Sequence, residues 1–381
     1  MSKNDIPLVG KNMTNKILFI APLPPPYYGS AISSELCLNI LKASEEFEVF
    51  KIKLNYSKDI ADVGNFSTAK ILGFFYVLMD IWKVMRYEKP DMVYFVPATF
   101  GIAFLRDSVI LWLIRRFKDR KLILHLRSQF REKEWMNVFK KFLIKKLLRS
   151  DKIILLGAEL KDNLKSVVKD EKIFFLPNAI PNTLSSEDFL EIQKFRRKNK
   201  ELNLFFLSNM LEFKGWFKLL ETCKLLKEAN FKFKCHFAGG WPSHAERSKF
   251  NKYVNTNLLQ DFVVHHGKLF DEGKVTMFKK ADIFIFPTEF DACPRVIIEA
   301  MEYGLPIIST QVGTIPSMIS NGETGLIVKN NTPHELFNQI SKLCNDKVRV
   351  EMEVKGRERF LYKYTLTSYK EQFLSIILKP Q

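Results

Sequence analysis

Short apolar runs with the pattern of β-strands alternate with helical patterns along almost the whole sequence. The strand pattern Lys16–Ala21 is followed by the helix pattern Ala31–Ala43 and then by the strand pattern Glu48–Leu54. Such alternation is typical of βαβ units, in which a helix connects two parallel strands of one sheet. The sequence therefore predicts the α/β class, with doubly wound parallel sheets that carry helices on both faces.

One stretch interrupts this alternation and divides the chain. Residues 178–200 contain paired serines and a cluster of Lys and Arg, and a second strand–helix series begins at Leu202–Ser208. The length of 381 residues is enough for two domains with cores of their own. We assign residues 1–180 to an N-terminal domain, 181–200 to a linker and 201–360 to a C-terminal domain. The last helix pattern, Tyr362–Leu378, lies in a separate segment, 361–381.

Charge and cysteine content narrow the class of protein. The formal net charge is +17, and the stretch Arg115–Lys152 alone holds fourteen Lys/Arg against four Asp/Glu. The five cysteines are scattered without a C-x-x-C pair, so we expect neither disulfides nor a cysteine metal site. The first apolar run, Ile17–Ala21, is too short for a secretory signal, and no run reaches the roughly 20 residues of a membrane span. A cytoplasmic protein is the expectation.

The segment Pro287–Pro306 combines carboxylates with a helix start. The strand pattern Asp282–Phe286 ends at Pro287, and Pro294 stands where a first helical residue is preferred, which predicts a helix over Val296–Tyr303. Asp291 then precedes the helix and Glu299 lies inside it. Backbone N–H groups at a helix start bind anions, and carboxylates bind hydroxyls. A ligand with both phosphate and diol groups fits this pattern.

This segment resembles the E-x7-E signature of the retaining glycosyltransferases of family 4. Those enzymes have the GT-B fold, with two Rossmann-like domains that face a central cleft, and they use nucleotide-sugar donors. The resemblance implies that the N-terminal domain binds the acceptor, that the C-terminal domain binds the nucleotide sugar, and that the helix in 361–381 crosses back to the N-terminal domain. The resemblance implies that Glu299 holds the donor ribose and that Asp291 contacts the transferred sugar. Asp291 replaces the usual Glu, and Ala292-Cys293-Pro294 replaces the usual Gly-Phe-Gly. The donor-site residues implied in this segment are Asp291, Ala292, Cys293, Arg295, Val296 and Glu299.

A second motif lies upstream, between a strand and a helix. The stretch Leu207–Gly215 is similar to the family pattern Gly-Arg-Leu-x-x-x-Lys-Gly, whose cations neutralise the donor diphosphate. The resemblance implies that Lys214 and Gly215 meet the diphosphate. Asn209 occupies the arginine position and removes one positive charge, and we expect Arg295 to compensate for it. His266-Gly267 closes a later strand and adds Gly267 to the implied donor site.

In the N-terminal domain, the candidate site residues lie in one loop and at the end of one strand. Gly29-Ser30 ends the loop after the first strand, where a parallel sheet binds its ligands, and Ser30 is a plausible helix cap. The resemblance implies that this loop approaches the donor diphosphate. His125 ends the strand in LHLRSQF, and the resemblance implies a place near the transferred sugar, whereas a core histidine is the structural alternative. Arg127 is a candidate for acceptor or phosphate contact.

Together these motifs imply a retaining, metal-independent glycosyltransferase of cell-surface polysaccharide synthesis. It would move a sugar from a nucleotide-diphosphate sugar, UDP-sugar being favoured, to a glycan or lipid-linked glycan acceptor. The implied catalytic residues are His125, Lys214, Asp291 and Glu299, and no metal or other cofactor is expected. A nucleotide-sugar epimerase of GT-B fold is the alternative. A basic nucleic-acid-binding protein is a further alternative, but no zinc spacing or RNP-like motif supports it, so no nucleic-acid partner is expected.

The helix pattern Glu132–Arg149 is basic and amphipathic. Its apolar residues either contact an anionic membrane or pack on the sheet while the lysines are solvated. A second aromatic-rich helix pattern, Ile71–Tyr87, favours membrane contact. Peripheral attachment to the inner face of the cell membrane is the expectation on that alternative.

Overall fold

The computed structural model describes residues 14–26, 28–54, 68–130, 137–164, 167–199 and 201–379, without the side chains of residues 68–71 and 163. The chain divides into two compact units. The first comprises Met1–Leu155, Leu164–Phe174 and Phe373–Gln381, and the second comprises Leu156–Asn163 and Phe175–Gln372.

The first unit is built on a sheet of six described strands. In chain order they are β1 (Asn15–Ala21), β2 (Phe47–Lys53), β3 (Met92–Phe95), β4 (Lys121–Leu126), β5 (Lys152–Leu155) and β6 (Ile173–Phe175). Their order across the sheet is β2-β1-β3-β4-β5-β6. β1 pairs in parallel with both neighbours, so that Ile17 lies opposite Val49 on one side and Met92 on the other. The inner strands β3, β4 and β5 are almost wholly buried, as expected for a parallel sheet covered on both faces.

The direction of each connection decides which face its helix covers. The helices are α1 (Gly29–Lys42), α2 (Thr68–Lys83, continued by a π-helical turn over Val84–Glu88), α3 (Gly101–Ile114) and α4 (Val138–Leu147). The chain passes from β2 to β3, β4 and β5 in one direction across the sheet and from β1 to β2 in the other. Because such crossovers are right-handed, α2, α3 and α4 share one face and α1 covers the opposite one.

The second unit repeats this plan. Its described strands are β7 (Leu202–Leu207), β8 (Phe233–Ala238), β9 (Val263–His265), β10 (Ile283–Phe286), β11 (Ile307–Thr310) and β12 (Gly325–Val328), in the order β12-β11-β10-β7-β8-β9. Its helices are α5 (Ser186–Arg197), α6 (Trp216–Glu228), α7 (His244–Thr256), α8 (Asp271–Lys280), α9 (Arg295–Glu302), α10 (Ile315–Met318), α11 (Pro333–Lys342) and α12 (Asp346–Lys363). The α/β class with two doubly wound parallel sheets is therefore confirmed.

The last helix, α13 (Leu366–Leu378), begins in the second unit and ends in the first. Within the first unit, the ring of Phe373 packs edge-on against Tyr94, with centroids 5.7 Å apart. The Lys152 ammonium donates to the Ile376 carbonyl oxygen at 2.7 Å, which satisfies an acceptor at the helix end.

Three elements differ from the sequence prediction. The stretch 181–200, predicted as a linker, contains α5, which starts at a capping box between Ser185 and Asp188. The sequence pattern over residues 158–168 predicts an α-helix, and the structure has a 3-10 helix over Ala158–Leu164. The predicted helix Glu132–Arg149 is α4 in its described part, while residues 131–136 lie outside the described residues.

The apolar residues of α4 are divided between core and solvent. Ile144 and Leu147 are buried, whereas Val138, Phe139 and Phe142 are exposed. Packing of the whole apolar arc on the sheet, one of the two alternatives for this helix, is therefore wrong for these three residues.

Candidate functional site

The loops that follow the strands of the second sheet meet at one edge, because the carboxyl ends of parallel strands lie together. Glycines let these loops approach each other closely. Gly215 has φ +86°, and a Cβ there would overlap the carbonyl of Pro287. Gly313 has φ +56°, and a Cβ there would overlap the carbonyl of Asp291. The loops after β7, β10 and β11 are thus in backbone contact, which fixes the residues they carry.

Lys214 and Asp291 form an ion pair at this edge. Lys214 ends the 3-10 turn after β7, and its ammonium lies 2.7 Å from Asp291 Oδ2. The same ammonium donates to the Phe290 carbonyl oxygen at 3.1 Å. The two side chains are 16% and 22% exposed, so the pair is open to solvent on one side. The structure brings together two residues that the sequence separates by 77 positions.

Glu299 forms a second ion pair at this edge. It lies on α9, and its Oε2 is 2.7 Å from the ammonium of Lys274 on α8, with side-chain exposures of 16% and 31%. The sequence prediction did not include Lys274. The available signal was weak: Lys274 follows β9 in a turn-to-helix segment, as Lys214 follows β7. The second carboxylate of the predicted site is therefore ion-paired as well.

The start of α9 completes this edge. Pro294 is the N-cap, and the helix begins at Arg295, one residue before the predicted start. The first turn of a helix leaves backbone N–H groups without intrahelical partners, which favours anions there. The preceding loop is held by two hydrogen bonds: the Ala292 carbonyl accepts from the Thr314 N–H at 2.9 Å, and the Cys293 carbonyl accepts from the Asn178 side chain at 2.8 Å.

The remaining predicted donor residues of this unit lie along the same loops. Arg295 donates to the Ala179 carbonyl oxygen at 3.3 Å, in the segment between β6 and α5. Asn209 is exposed after β7, and Val296 lies in the first turn of α9. Gly267 has φ +70° and accepts a hydrogen bond from the Gly239 N–H at 2.7 Å, which ties the loops after β8 and β9 together. The compensation for Asn209 that is expected of Arg295 stays a prediction.

In the first unit, Gly29 is exposed and is the first residue of α1. The N-cap is Tyr28 in extended conformation, with no side-chain hydrogen bond to the helix. Ser30 is the second helical residue, so the prediction that it caps the helix is wrong. The first turn of α1 has no acidic residue, which leaves its positive dipole end uncompensated within that turn.

His125 and Arg127 belong to a buried polar network. His125 is fully buried at the end of β4, and its Nδ1 is hydrogen-bonded to the Tyr94 hydroxyl. Burial, together with the charge of Arg127, holds the pKa of His125 well below its usual range, so the imidazole is neutral at neutral pH. Arg127 donates to the Ser33 carbonyl oxygen and to Cys37 Sγ, both at 3.1 Å. This arrangement is the one expected of a core histidine.

The described residues contain neither a metal-ligand cluster nor a membrane-spanning helix. Within the described ranges, no three or more His, Cys, Asp or Glu side chains are grouped so that they could hold a metal ion. None of the described helices is long and apolar enough to cross a bilayer.

Comparison with known proteins agrees with the resemblance. Residues 187–359 match the family model of glycosyl transferases group 1. The capsular polysaccharide biosynthesis glycosyltransferase CapM of Staphylococcus aureus is 24% identical over 56% of this chain, and that match spans only 57% of the relative's length.

Solved structures match over almost the whole chain. A glycosyltransferase from Rickettsia africae superposes with a TM-score of 0.70 at 16% identity, covering 97% of this chain and 100% of the other. HepE of Anabaena in complex with UDP-glucose superposes with a TM-score of 0.70 at 15% identity, covering 95% and 99%. The chain therefore has the GT-B fold, and its residues 187–359 carry a domain of the glycosyl transferases group 1 family.

Proposed function

We propose that this protein is a retaining glycosyltransferase that uses a nucleotide-diphosphate sugar, with UDP-sugar favoured, and acts without a metal ion. The observation that carries the proposal is the pair of lysine–carboxylate contacts at one sheet edge, Lys214–Asp291 and Lys274–Glu299. All four residues lie inside the segment that matches the group 1 family. The start of α9 adds backbone donors beside them.

Each pair suits a different part of the donor. The Glu299 carboxylate accepts hydrogen bonds from the ribose diol, and Lys274 orients that carboxylate through the ion pair. The Asp291 carboxylate accepts from hydroxyls of the transferred sugar. Lys214 and the first-turn amides of α9 face the diphosphate, whose negative charge increases as it leaves. Lys214 and these amides therefore supply the positive charge at the diphosphate, where Asn209 supplies none.

The chemical step needs no protein nucleophile. The acceptor hydroxyl oxygen forms a bond to the anomeric carbon on the face from which the diphosphate leaves, so the configuration is retained. The anomeric carbon–oxygen bond breaks with its electron pair on the diphosphate, which takes up the acceptor proton. The neutral, buried His125 does not take part in this scheme.

The similar proteins support the choice of substrates. CapM is named for capsular polysaccharide biosynthesis, and HepE was solved with UDP-glucose. We therefore propose a UDP-sugar donor and a glycan or lipid-linked glycan acceptor for cell-surface polysaccharide. Nucleotide sugars are cytoplasmic metabolites, and we place the protein in the cytoplasm.

The first test is thermal unfolding of the purified full chain with a panel of UDP- and GDP-sugars and no added metal. A ligand that binds only the folded state stabilises it by about 2.7 kcal/mol at one hundred times its Kd. One sugar nucleotide should raise the unfolding temperature, and Lys214→Met and Glu299→Gln should each reduce that rise. The exposed pair Lys218–Glu289, whose charged atoms are 2.6 Å apart, supplies the control variant Lys218→Met.

Two outcomes would count against the proposal. A stabilising sugar nucleotide that is unaffected by both site variants would place the donor elsewhere. Conversion of the sugar nucleotide to a different free sugar without any acceptor would identify an epimerase of the same fold.

A further inference from the structure

The helices on one face of the first sheet expose a large set of apolar side chains. Among the described residues, α2, α3 and α4 together carry twelve that are 40–84% exposed. We call this surface the aromatic face; its residues are Leu72, Phe75, Tyr76, Met79, Trp82, Ile102, Leu105, Val109, Trp112, Val138, Phe139 and Phe142. Exposed patches of this size usually mark a binding surface, because an isolated soluble domain gains nothing from leaving them in water.

A groove between α2 and α3 lies in the middle of this face. Its volume is about 330 Å³, and the side chains that line it include Phe75, Met79, Trp82, Val109 and Trp112. Among the described residues that line it, Lys83 is the one that is charged. The groove therefore accepts apolar material at its centre and an anionic group at the lysine.

Basic side chains surround the aromatic face. The stretches 72–88, 101–119 and 137–149 hold eleven Lys/Arg against four Asp/Glu. The Arg116 guanidinium lies 4.4 Å from the ring of Trp112, and the Lys146 ammonium lies 4.6 Å from the ring of Phe142. Cations beside aromatic rings can bind headgroups while the rings enter the boundary of the acyl chains.

The topology collects many of these cations at one end. Because α2, α3 and α4 connect parallel strands, they run in the same direction and their C-terminal ends lie at the same edge of the sheet. Arg115, just after α3, donates to the carbonyl oxygens of Leu147 and Arg149 at 3.1 Å and 2.7 Å, which joins the ends of α3 and α4. Lys83, Arg86, Arg116, Lys118, Lys145, Lys146 and Arg149 all lie near these ends.

We propose that the aromatic face binds the surface of a lipid bilayer that contains anionic headgroups. This inference extends the membrane contact predicted for Glu132–Arg149 to the two neighbouring helices and to the groove between them. A second copy of the chain is a poorer partner, because a two-fold contact would place the same excess of positive charge against itself. A nucleic acid would match the charge but not the leucine, valine and methionine side chains.

The test is sedimentation of the full chain with vesicles, which does not depend on transferase activity. Vesicles of phosphatidylcholine with 30 mol% phosphatidylglycerol are compared with pure phosphatidylcholine vesicles at the same ionic strength. Binding to the anionic vesicles should exceed binding to the neutral ones at least tenfold, since each lysine or arginine near the surface contributes about fivefold. Raising the salt concentration should weaken binding to the anionic vesicles.

Two double variants separate the apolar and ionic contributions. Trp82→Ser with Trp112→Ser should lower vesicle binding at least tenfold, and Lys83→Glu with Arg116→Glu should remove the preference for anionic vesicles. All four side chains are exposed, so the fold should tolerate the changes. Matched controls come from the second unit: Phe195→Ser, 58% exposed like Trp112, and Lys252→Glu should bind as the unchanged protein does.

The inference is overturned if the double variants bind vesicles as well as the controls do. It is also overturned if the unchanged protein binds neutral and anionic vesicles equally. Light scattering of the protein without lipid tests whether the partner is a second copy of this chain. If the unchanged protein is a dimer and the tryptophan double variant is a monomer, the aromatic face is a dimer interface and the inference is overturned.

Discussion

The carboxyl ends of the two sheets carry polar residues of very different kinds. In the second unit, Lys214–Asp291 and Lys274–Glu299 are ion pairs whose side chains are 16–31% exposed. In the first unit, His125 is fully buried and Arg127 is 9% exposed, and both are tied to neighbouring core residues. The two units share a topological plan, yet these ion pairs of the second unit are partly exposed whereas His125 and Arg127 of the first are buried.

This difference separates residues that can bind a ligand from residues that stabilise the fold. A partly exposed ion pair can exchange its partner for a ligand at little cost, because water already screens it. A buried hydrogen-bonded group cannot, since loss of one partner leaves the other unsatisfied. We therefore expect substitutions in the second unit to change activity and those around His125 to change stability.

The largest expected effect is that of Lys214→Met. Removal of the cation that faces the leaving diphosphate should lower kcat/KM by about 100- to 1,000-fold. Steady-state kinetics with the donor found by thermal unfolding would measure it. Lys218→Met, four residues further along the chain, should stay within about twofold; an equal loss in both variants would show that general surface charge, not this pair, is responsible.

The Glu299–Lys274 pair should behave as a unit. Glu299→Gln and Lys274→Met should each raise the donor KM about tenfold, and the double variant should fall short of the product, with a coupling on the order of 1 kcal/mol. A double-mutant cycle on donor affinity measures that coupling. Strictly additive effects would mean that Lys274 contacts the donor independently of Glu299 or not at all. The exposed pair Lys224–Glu228, with charged atoms 3.8 Å apart, supplies the control cycle.

His125→Ala should act on stability instead. Loss of the buried ring and of its hydrogen bond to Tyr94 should lower the free energy of unfolding by about 2 kcal/mol, while donor affinity stays within about twofold. Urea unfolding and donor titration check both expectations. Tyr94→Phe is the matched variant, which removes only the hydroxyl and should cost about 1 kcal/mol. If His125→Ala left the free energy of unfolding unchanged but abolished sugar transfer, His125 would be catalytic. The contrast drawn between the two units would then be wrong.

A smaller effect should follow acidification. Burial, together with the charge of Lys280, lowers the pKa of His236 to about 4. The folded state then binds fewer protons than the unfolded one, so stability is complete above pH 6.5 and is lost as the pH falls from there towards 4. Between pH 7 and 5.5 this histidine should cost about 1 kcal/mol.

His125, whose pKa is also lowered by burial, adds to the same slope. Urea unfolding at the two pH values measures the loss, and His236→Asn should reduce it. An identical dependence of stability on pH in His236→Asn would contradict the assignment of this loss to His236. His244→Asn, at an exposed site on α7, is the control.

The smallest expected effect is that of a chelator. If Lys214 and the first-turn amides of α9 supply the charge for the diphosphate, EDTA should change the transfer rate by less than about twofold. Assays with EDTA, and with Mg²⁺ or Mn²⁺ restored, check this expectation. A loss of activity that either ion restores would refute metal independence.

Much of the fold could be predicted from the sequence because each element carries its own signal. The strand patterns are continuous apolar runs bounded by turn residues, and these signals are local. Boundaries failed where a local interaction was underestimated: the capping box at Ser185 starts α5 inside the predicted linker, and Pro294 caps α9 instead of lying within it. The order of the strands within each sheet depends on packing between distant segments.

The candidate site was predictable only in part. The family-like spacing pointed to Lys214, Asp291 and Glu299. Lys274 had no comparable motif, since its role depends on the distance between α8 and α9. Arg295 donates to the Ala179 carbonyl oxygen, and the compensation for Asn209 expected of it stays a prediction. A sequence pattern gives the type of side chain, but not the direction it takes from its helix.

Local sequence patterns established the α/β class and the two strand–helix series, because periodicity and turn chemistry act over a few neighbouring residues. The resemblance to a family implied three of the four charged residues at the sheet edge. Only the tertiary structure decided which cation pairs with which carboxylate, that His125 is buried, and that the apolar residues of α2, α3 and α4 are exposed on one face. Those facts depend on contacts between segments far apart in the chain. The free energy gained by burial and the direction of each crossover, rather than local conformational preference, determine which segments come into contact.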